Sequence, residues 1–414
     1  MSVTRISAGR LFDGTGAPPI VDAAILIDGE RIVEVGAAAA VPTPEGAVSL
    51  DYSDKTLLPG LVDCHSHTNL PGDGTTIEQA AADTNEIHLL RSAQNVRTAL
   101  RAGVTTLREN GAFRRTGFVL REALERGIVQ GPRLSVAGRP ITLTGGHCWP
   151  LGGEADGVEG VRHAVRHLVK EGADWIKAMA TGGGTLNTRP YQASYTIEEL
   201  RAIVEEGHRA DRLVGIHCTG TPGIANALDA GTDMIIHGNF NNPDGSATFV
   251  PDLARRMADR DVWLNPTVHV GRTRIWRFER IAQQRALTEA EAAEFDLVKE
   301  RYKVRCEHIS ELLKHGVRMA AGSDCGWSYY AFGGFRHEIE SLSSCGLGPA
   351  KALRAGTLDS ATAMGLGDQV GSLEGGKLAD LLIVDGDPLM DLTALGNVAA
   401  VFLAGVQVSN AKSA

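Results

Sequence analysis

The stretch Leu58-Pro59-Gly60-Leu61-Val62-Asp63-Cys64-His65-Ser66-His67 ends an apolar run in two histidines one residue apart. In an extended strand, residues two apart point to the same face. His65 and His67 then present two nitrogen donors side by side, which begins a metal site without completing it. Four later positions supply more: Lys177 inside Trp175–Met179, His217 ending Val214–His217, His237 ending Met234–His237, and Asp324 just after Arg318–Gly322. Four imidazoles and a carboxylate suit a divalent first-row cation, zinc above all, with manganese or iron also compatible. Lys177 is the odd member, because an unpaired ammonium in an apolar strand costs several kcal/mol. An ammonium cannot ligate. A carbamate, formed when the neutral amine takes up CO2, would offer two oxygens and bridge two cations.

These side chains act together only if the ends of their runs meet. From Thr56 onward, apolar runs alternate with helical segments: Leu57–Asp63, Val104–Arg108, Leu134–Ala137, Trp175–Met179, Val214–His217, Met234–His237, Val262–Pro266 and Arg318–Gly322. Eight such strands close a parallel (β/α)8 barrel, whose active site lies at the C-terminal ends of the strands. The intervening helices include Ile77–Ala102, Val158–Glu171, Ile197–Ala210 and Pro251–Arg260. Thr196 with Glu199 forms a capping-box pattern ahead of the third. The charged segment from about Arg272 to Gly316 exceeds a usual crossover and reads as one extended outer helix or two, with a lid or a subunit contact as further roles.

The two chain ends differ from this. Residues 1–57 read as short strands (Ser2–Ile6, Ala23–Asp28, Arg31–Val35, Ala47–Asp51) punctuated by glycine and proline. After two helical patches, Ala350–Ala355 and Ser360–Met364, strands return at Ala379–Asp385 and Val398–Val408. The expected architecture is therefore α/β: a TIM-like barrel over 58–370, inserted into a small β-sandwich made from 1–57 and 371–414.

With 414 residues, 43% of them hydrophobic and 22% charged, the chain has the composition of an ordinary globular protein with a large core. A net charge of −9 argues against nucleic acid or an anionic membrane as partner. Six scattered cysteines with no C-x-x-C pair fit a reducing compartment rather than a disulfide framework. Met1–Gly16 lacks the apolar core of a signal peptide, and no stretch approaches the ~18 apolar residues of a membrane span. A cytoplasmic location is the expectation.

The motifs together resemble the amidohydrolase superfamily, in the branch of imidazolonepropionase-like and Xaa-Pro dipeptidase-like (prolidase-type) enzymes. They are the stretch from Pro59 to His67, Thr144-Gly145-Gly146-His147, Gly172-Ala173-Asp174-Trp175-Ile176-Lys177, His217, His237-Gly238, Ser323-Asp324 and the tail Gly371-Ser372-Leu373-Glu374-Gly375-Gly376-Lys377-Leu378-Ala379-Asp380-Leu381. The resemblance implies that His65, His67 and Asp324 bind a buried metal ion, that His217 and His237 bind a more exposed one, and that N6-carboxylated Lys177 bridges them. It implies a bridging hydroxide as nucleophile, Asp324 as general base and then acid, and His147 as donor to the scissile carbonyl. One position departs: prolidase-type relatives carry His-Gly-Thr-Tyr where this chain has His237-Gly238-Asn239-Phe240. Phe240 has no hydroxyl, so one polar contact is missing or supplied elsewhere.

Arg189, Tyr191, Thr267 and Trp327, with other aromatic residues, fall around the expected mouth. Arg189 would hold a substrate carboxylate through two parallel hydrogen bonds, and Tyr191, Phe240 and Trp327 would line the pocket. The resulting expectation is a binuclear hydrolase of an amide-type C–N bond in a small molecule: an Xaa-Pro or other dipeptide, an N-acyl amino acid, or a related amide or carbamate. Homo-oligomers are common on this fold. A mononuclear deaminase or cyclic-imide hydrolase is the alternative, against which Lys177 argues, and a non-catalytic scaffold is a third reading.

Overall fold

In a computed structural model the described residues are 3–408. The Ser2 start of the first expected strand and residues 409–414 lie outside them. Four strands open the chain: β1 (Thr4–Leu11), β2 (Ile20–Asp28), β3 (Arg31–Ala37) and β4 (Val48–Pro59). Seven follow between helices: β5 (Leu61–Ser66), β6 (Val104–Glu109), β7 (Arg133–Val136), β8 (Ile176–Met179), β9 (Val214–Cys218), β10 (Met234–His237) and β11 (Trp263–Asn265). β12 (Leu381–Val384), β13 (Val398–Leu403) and β14 (Val406–Gln407) complete the series.

The terminal strands of both chain ends meet in one hydrogen-bonded sheet. Their order is β14-β13-β12-β4-β1-β2-β3. The cause lies in β4, which at 12 residues is long enough to serve two partners. It pairs in parallel with β1 from Val48 to Leu57, while Thr56 to Pro59 pair antiparallel with β12. β4 therefore joins the two chain ends, and the sheet curls enough for the segment before β12 to bridge β3 as well, Leu378 with Arg31. Ile6, Ile25, Leu57, Leu381 and Phe402 share one buried cluster on this sheet.

The middle strands form two parallel sheets, β5-β6-β7 and β11-β10-β9-β8. β5, β6, β8 and β9 are buried at every residue, which explains why they read as unbroken apolar runs with no alternation. The eighth expected strand, Arg318–Gly322, is not a regular one. It reaches its neighbours through isolated bridges, Leu264 with Met319 and, just beyond it, Ser66 with Cys325. Its backbone leaves the ladder to present Asp324, which has a left-handed φ of 61°.

The expected helix Ile77–Ala102 is two, Ile77–Ala80 and Asn85–Arg101, because Thr84 caps the second. Thr196 and Glu199 form the expected capping box on Ile197–Arg209. The long charged segment is also two helices, His269–Gln284 and Glu289–Lys314, the second opened by a Thr288–Glu291 capping box. Cys306 of that helix is joined to Cys345 by a single disulfide, a pair that the scattered spacing did not disclose. Packing, not spacing in sequence, brings that pair together, since 39 positions separate them. Cys64, Cys148, Cys218 and Cys325 are free and buried. Among the described residues, no helix is long and apolar enough to cross a membrane.

Candidate metal centre

β5 carries His65 near its end and His67 just past it, and the two meet at one point, as a two-residue period requires. Their Nε2 atoms lie 3.4 Å apart, and each is 3.3 Å from Oδ1 of Asp324. These three buried residues are grouped closely enough to hold one cation. Their backbones are stitched together as well. The Asp324 amide donates to the His65 carbonyl at 2.7 Å, and the His67 amide to that of Cys325 at 2.8 Å. Asp63 accepts from the amides of His65 (3.1 Å) and Ser323 (2.8 Å) and from the Ser323 hydroxyl (2.5 Å). Burial pushes the Asp63 carboxyl up to about 7.

Each histidine has one ring nitrogen engaged outside the group. Nδ1 of His65 meets the Asn265 side-chain oxygen at 2.8 Å, and Nδ1 of His67 the Gly111 carbonyl at 3.1 Å. Nε2 of His217 meets the Gly182 carbonyl at 2.9 Å, and Nδ1 of His237 the Thr267 hydroxyl at 2.7 Å. The other nitrogen of each ring stays free to donate a lone pair. The rings of His65 and His237 lie 5.6 Å apart between centroids, and those of His217 and His237 lie 4.5 Å apart. Burial holds His65, His217 and His237 well below the usual imidazole range, so all three are neutral, the form a cation needs.

Lys177 pairs in register with Gly215 of β9, two residues before His217. It is only 1% exposed. No side-chain hydrogen bond or ion pair engages its amine among the described residues. Burial draws the amine down to about 8, which leaves a share of neutral amine near neutrality.

All six side chains line one cavity of about 640 Å3, together with His147, Tyr191, Thr267, Phe240 and Trp327. His147 is fixed by a 2.8 Å hydrogen bond between Nδ1 and the Thr185 hydroxyl; that hydroxyl accepts from the Cys148 amide, so its own proton is available to Nδ1. Burial first, then the charges of Lys177 and His67, lowers His147 to about 3. Phe240 is buried against Phe249, with centroids 5.0 Å apart. Arg189 does not line the cavity, and its guanidinium donates to the Gln192 side chain at 3.1 Å. Arg274, Arg301 and Arg305 of the two long helices face the cavity instead. Sequence reasoning missed these arginines, along with Asn265 and Thr185, because none stands in a motif with the residue it supports; Asp63 lies within the Pro59–His67 motif but was given no role there.

Histidines, a carboxylate and a lone lysine thus meet in one cavity, and His65, His67 and Asp324 among them are close enough to hold a metal ion. The sequence profile of the Amidohydrolase family matches residues 56–408, and the chain belongs to that family. It is thus a hydrolase of carbon–nitrogen bonds. An ochratoxinase from Aspergillus niger is 27% identical, with 96% of this chain and 84% of that protein covered. An imidazolonepropionase from Micrococcus luteus is 26% identical, with 88% of each covered. The solved structure of a Xaa-Pro dipeptidase with methionine bound in the active site superposes with a TM-score of 0.85 at 27% identity, covering 99% of this chain and all of that one.

Proposed function

We propose that the chain is a binuclear metal-dependent amidohydrolase that cleaves the amide-type C–N bond of a small substrate: a dipeptide, an N-acyl amino acid or a related amide or carbamate. The observation that carries this reading is the set of outer hydrogen bonds, which leaves one nitrogen of each of His65, His67, His217 and His237 free. Such bonds fix the tautomer and raise the basicity of ligating imidazoles. The Lys177 amine, buried and without a hydrogen-bond or ion-pair partner among the described residues, supports the second half, since carboxylation would turn it into two oxygen donors. His65, His67 and Asp324 would hold one cation, His217 and His237 the other, and carboxylated Lys177 both. When bound, the cations, zinc before manganese or iron, would lower the pKa of a water and polarise the scissile carbonyl.

The chain's own residues then have defined work. Asp324 accepts the proton of the attacking water and returns it to the leaving nitrogen. His147, held neutral and fixed by Thr185, donates a hydrogen bond to the carbonyl oxygen as charge builds there. Trp327, Tyr191 and Phe240 give the cavity apolar walls that exclude bulk water. The names of the relatives, an ochratoxinase and a Xaa-Pro dipeptidase, support an amide carried on an amino acid.

The same reading closes the barrel. The two parallel sheets and the 318–325 segment form one eight-stranded ring, supported by the bridges Ile141 with Ala178, Leu264 with Met319 and Ser66 with Cys325.

The test is metal analysis of the purified protein, followed by a screen of dipeptides and N-acyl amino acids with zinc and manganese supplied in turn. About two equivalents per chain and amide hydrolysis are expected. Lys177→Ala should deplete metal and abolish turnover, and full activity in that variant would defeat the proposal.

A further inference from the structure

Arg305 lies outside every motif of the sequence, midway along the Glu289–Lys314 helix. Its guanidinium reaches the ends of two strands. Nη1 donates to the Gly238 carbonyl at 3.0 Å, and Nη2 to the Pro266 carbonyl at 3.0 Å and to that of His237. No carboxylate stands within ion-pair distance of it among the described residues; Glu338 acts on it only as a more distant charge. The hydrogen bonds of this partly buried cation therefore go to backbone carbonyls at the strand ends.

Those carbonyls flank two strained residues. His237 has φ 64° and Thr267 φ 48°, both in the left-handed region. For residues other than glycine this conformation is costly and persists only where the surroundings enforce it. A β-branched residue such as Thr267 is the harder case. The two are also bonded to each other, Nδ1 of His237 to Oγ1 of Thr267. A guanidinium is a rigid planar fork with five donors, suited to fixing several carbonyls at once. The helix is anchored beside it, since the next residue, Cys306, is the one joined to Cys345.

We propose that Arg305 is a positioning residue for the candidate metal centre. It clamps the ends of β10 and β11 so that Nδ1 of His237 is committed to Thr267 and Nε2 stays free for the cation. The role goes beyond the binuclear reading above and rests on it for its effect on metal.

The experiment compares wild type, Arg305→Met and Arg305→Lys. Equilibrium dialysis of the apo proteins against zinc is one readout, and amide hydrogen exchange of residues 234–240 and 263–268 is another. In Arg305→Met, exchange should rise in those two segments alone. One of the two zinc equivalents should weaken by about 10- to 100-fold, as removal of outer-shell partners does, while the His65, His67 and Asp324 equivalent keeps its affinity. With amide substrate, kcat should fall more than KM rises, and Arg305→Lys should recover part of both losses. Wild-type exchange in both segments, or two zinc equivalents at wild-type affinity, overturns the role. If Arg305→Met does not fold, Thr267→Val and Arg305→Lys decide: each should weaken the same equivalent, and an unchanged one in both overturns the role. If wild type itself takes up no zinc, the binuclear reading fails, and the exchange measurement alone decides whether Arg305 is the clamp.

Discussion

Nε2 of His65 lies 3.3 Å from Oδ1 of Asp324, two residues separated by most of the chain. The contact is held from both sides: the Asp324 amide bonds the His65 carbonyl, and Asp63 bonds the amides of His65 and Ser323. The acid is therefore placed by backbone, and its side chain is spared for chemistry.

From this placement, Asp324→Asn should fold normally and lose turnover. A carboxylate that both accepts and returns a proton contributes about 100- to 10,000-fold, and the amide can do neither. Steady-state kinetics on an amide substrate should show the loss in kcat. Circular dichroism and the unfolding midpoint should stay near wild type, because the Asp324 amide still bonds His65.

Gly183 sets the position of His147. A Cβ on Gly183 would lie 2.5 Å from both Cδ2 and Nε2 of that ring, closer than side chains approach. Gly183→Ala should swing His147 away from the carbonyl it serves. A loss of about 100- to 1,000-fold in kcat is expected, the scale of one missing oxyanion donor. His147→Ala should lose about as much, and the double variant no more than either alone; additive losses would contradict the shared cause.

Much of this was legible in the sequence, for physical reasons. β5, β8, β9 and β10 are buried on both faces, so they show as apolar runs, and the residue that ends each run falls at the cavity. The capping boxes at Thr196 and Thr288 are local contacts that a spacing of three residues discloses. What escaped depends on long-range geometry. Nothing near Arg305 in sequence points to the carbonyls of His237 and Pro266, and Arg189 suggested itself as a carboxylate clamp only because it is a cation in a loop near the mouth. How the terminal strands pair was not legible either, because alternation shows a strand's faces and not its neighbours. The length of β4, which joins both ends into one sheet, decides the outcome.

Gly322 tests how tightly the site is packed. Its Cβ would stand 2.6 Å from Cβ of His65 and 2.6 Å from the Asn265 side-chain nitrogen. Gly322→Ala should therefore destabilise the fold by about 1–3 kcal/mol, the usual cost of overpacking. It should also weaken zinc binding at the His65, His67 and Asp324 group. Denaturant melts and zinc titration read the two effects; wild-type values in both would show that the strand end has slack.

Glu338 supplies the pH dependence. It is fully buried and accepts from the amides of Val268 at 2.9 Å and His269 at 2.7 Å. Burial nonetheless pushes its carboxyl up to about 8, against those two bonds; the charge of Asp63 adds to the rise and that of Arg305 opposes it. The folded state thus holds a proton that the unfolded chain has released above about 4.5. Its contribution is complete below that value and is lost as pH rises through about 8, at no more than about 1.4 kcal/mol per pH unit. Glu338→Gln keeps one acceptor and cannot ionise. Its stability should consequently fall less steeply than wild type between pH 5 and 8, as read by urea melts across that window. Parallel slopes in the two proteins would mean that Glu338 is ionised in the folded state throughout.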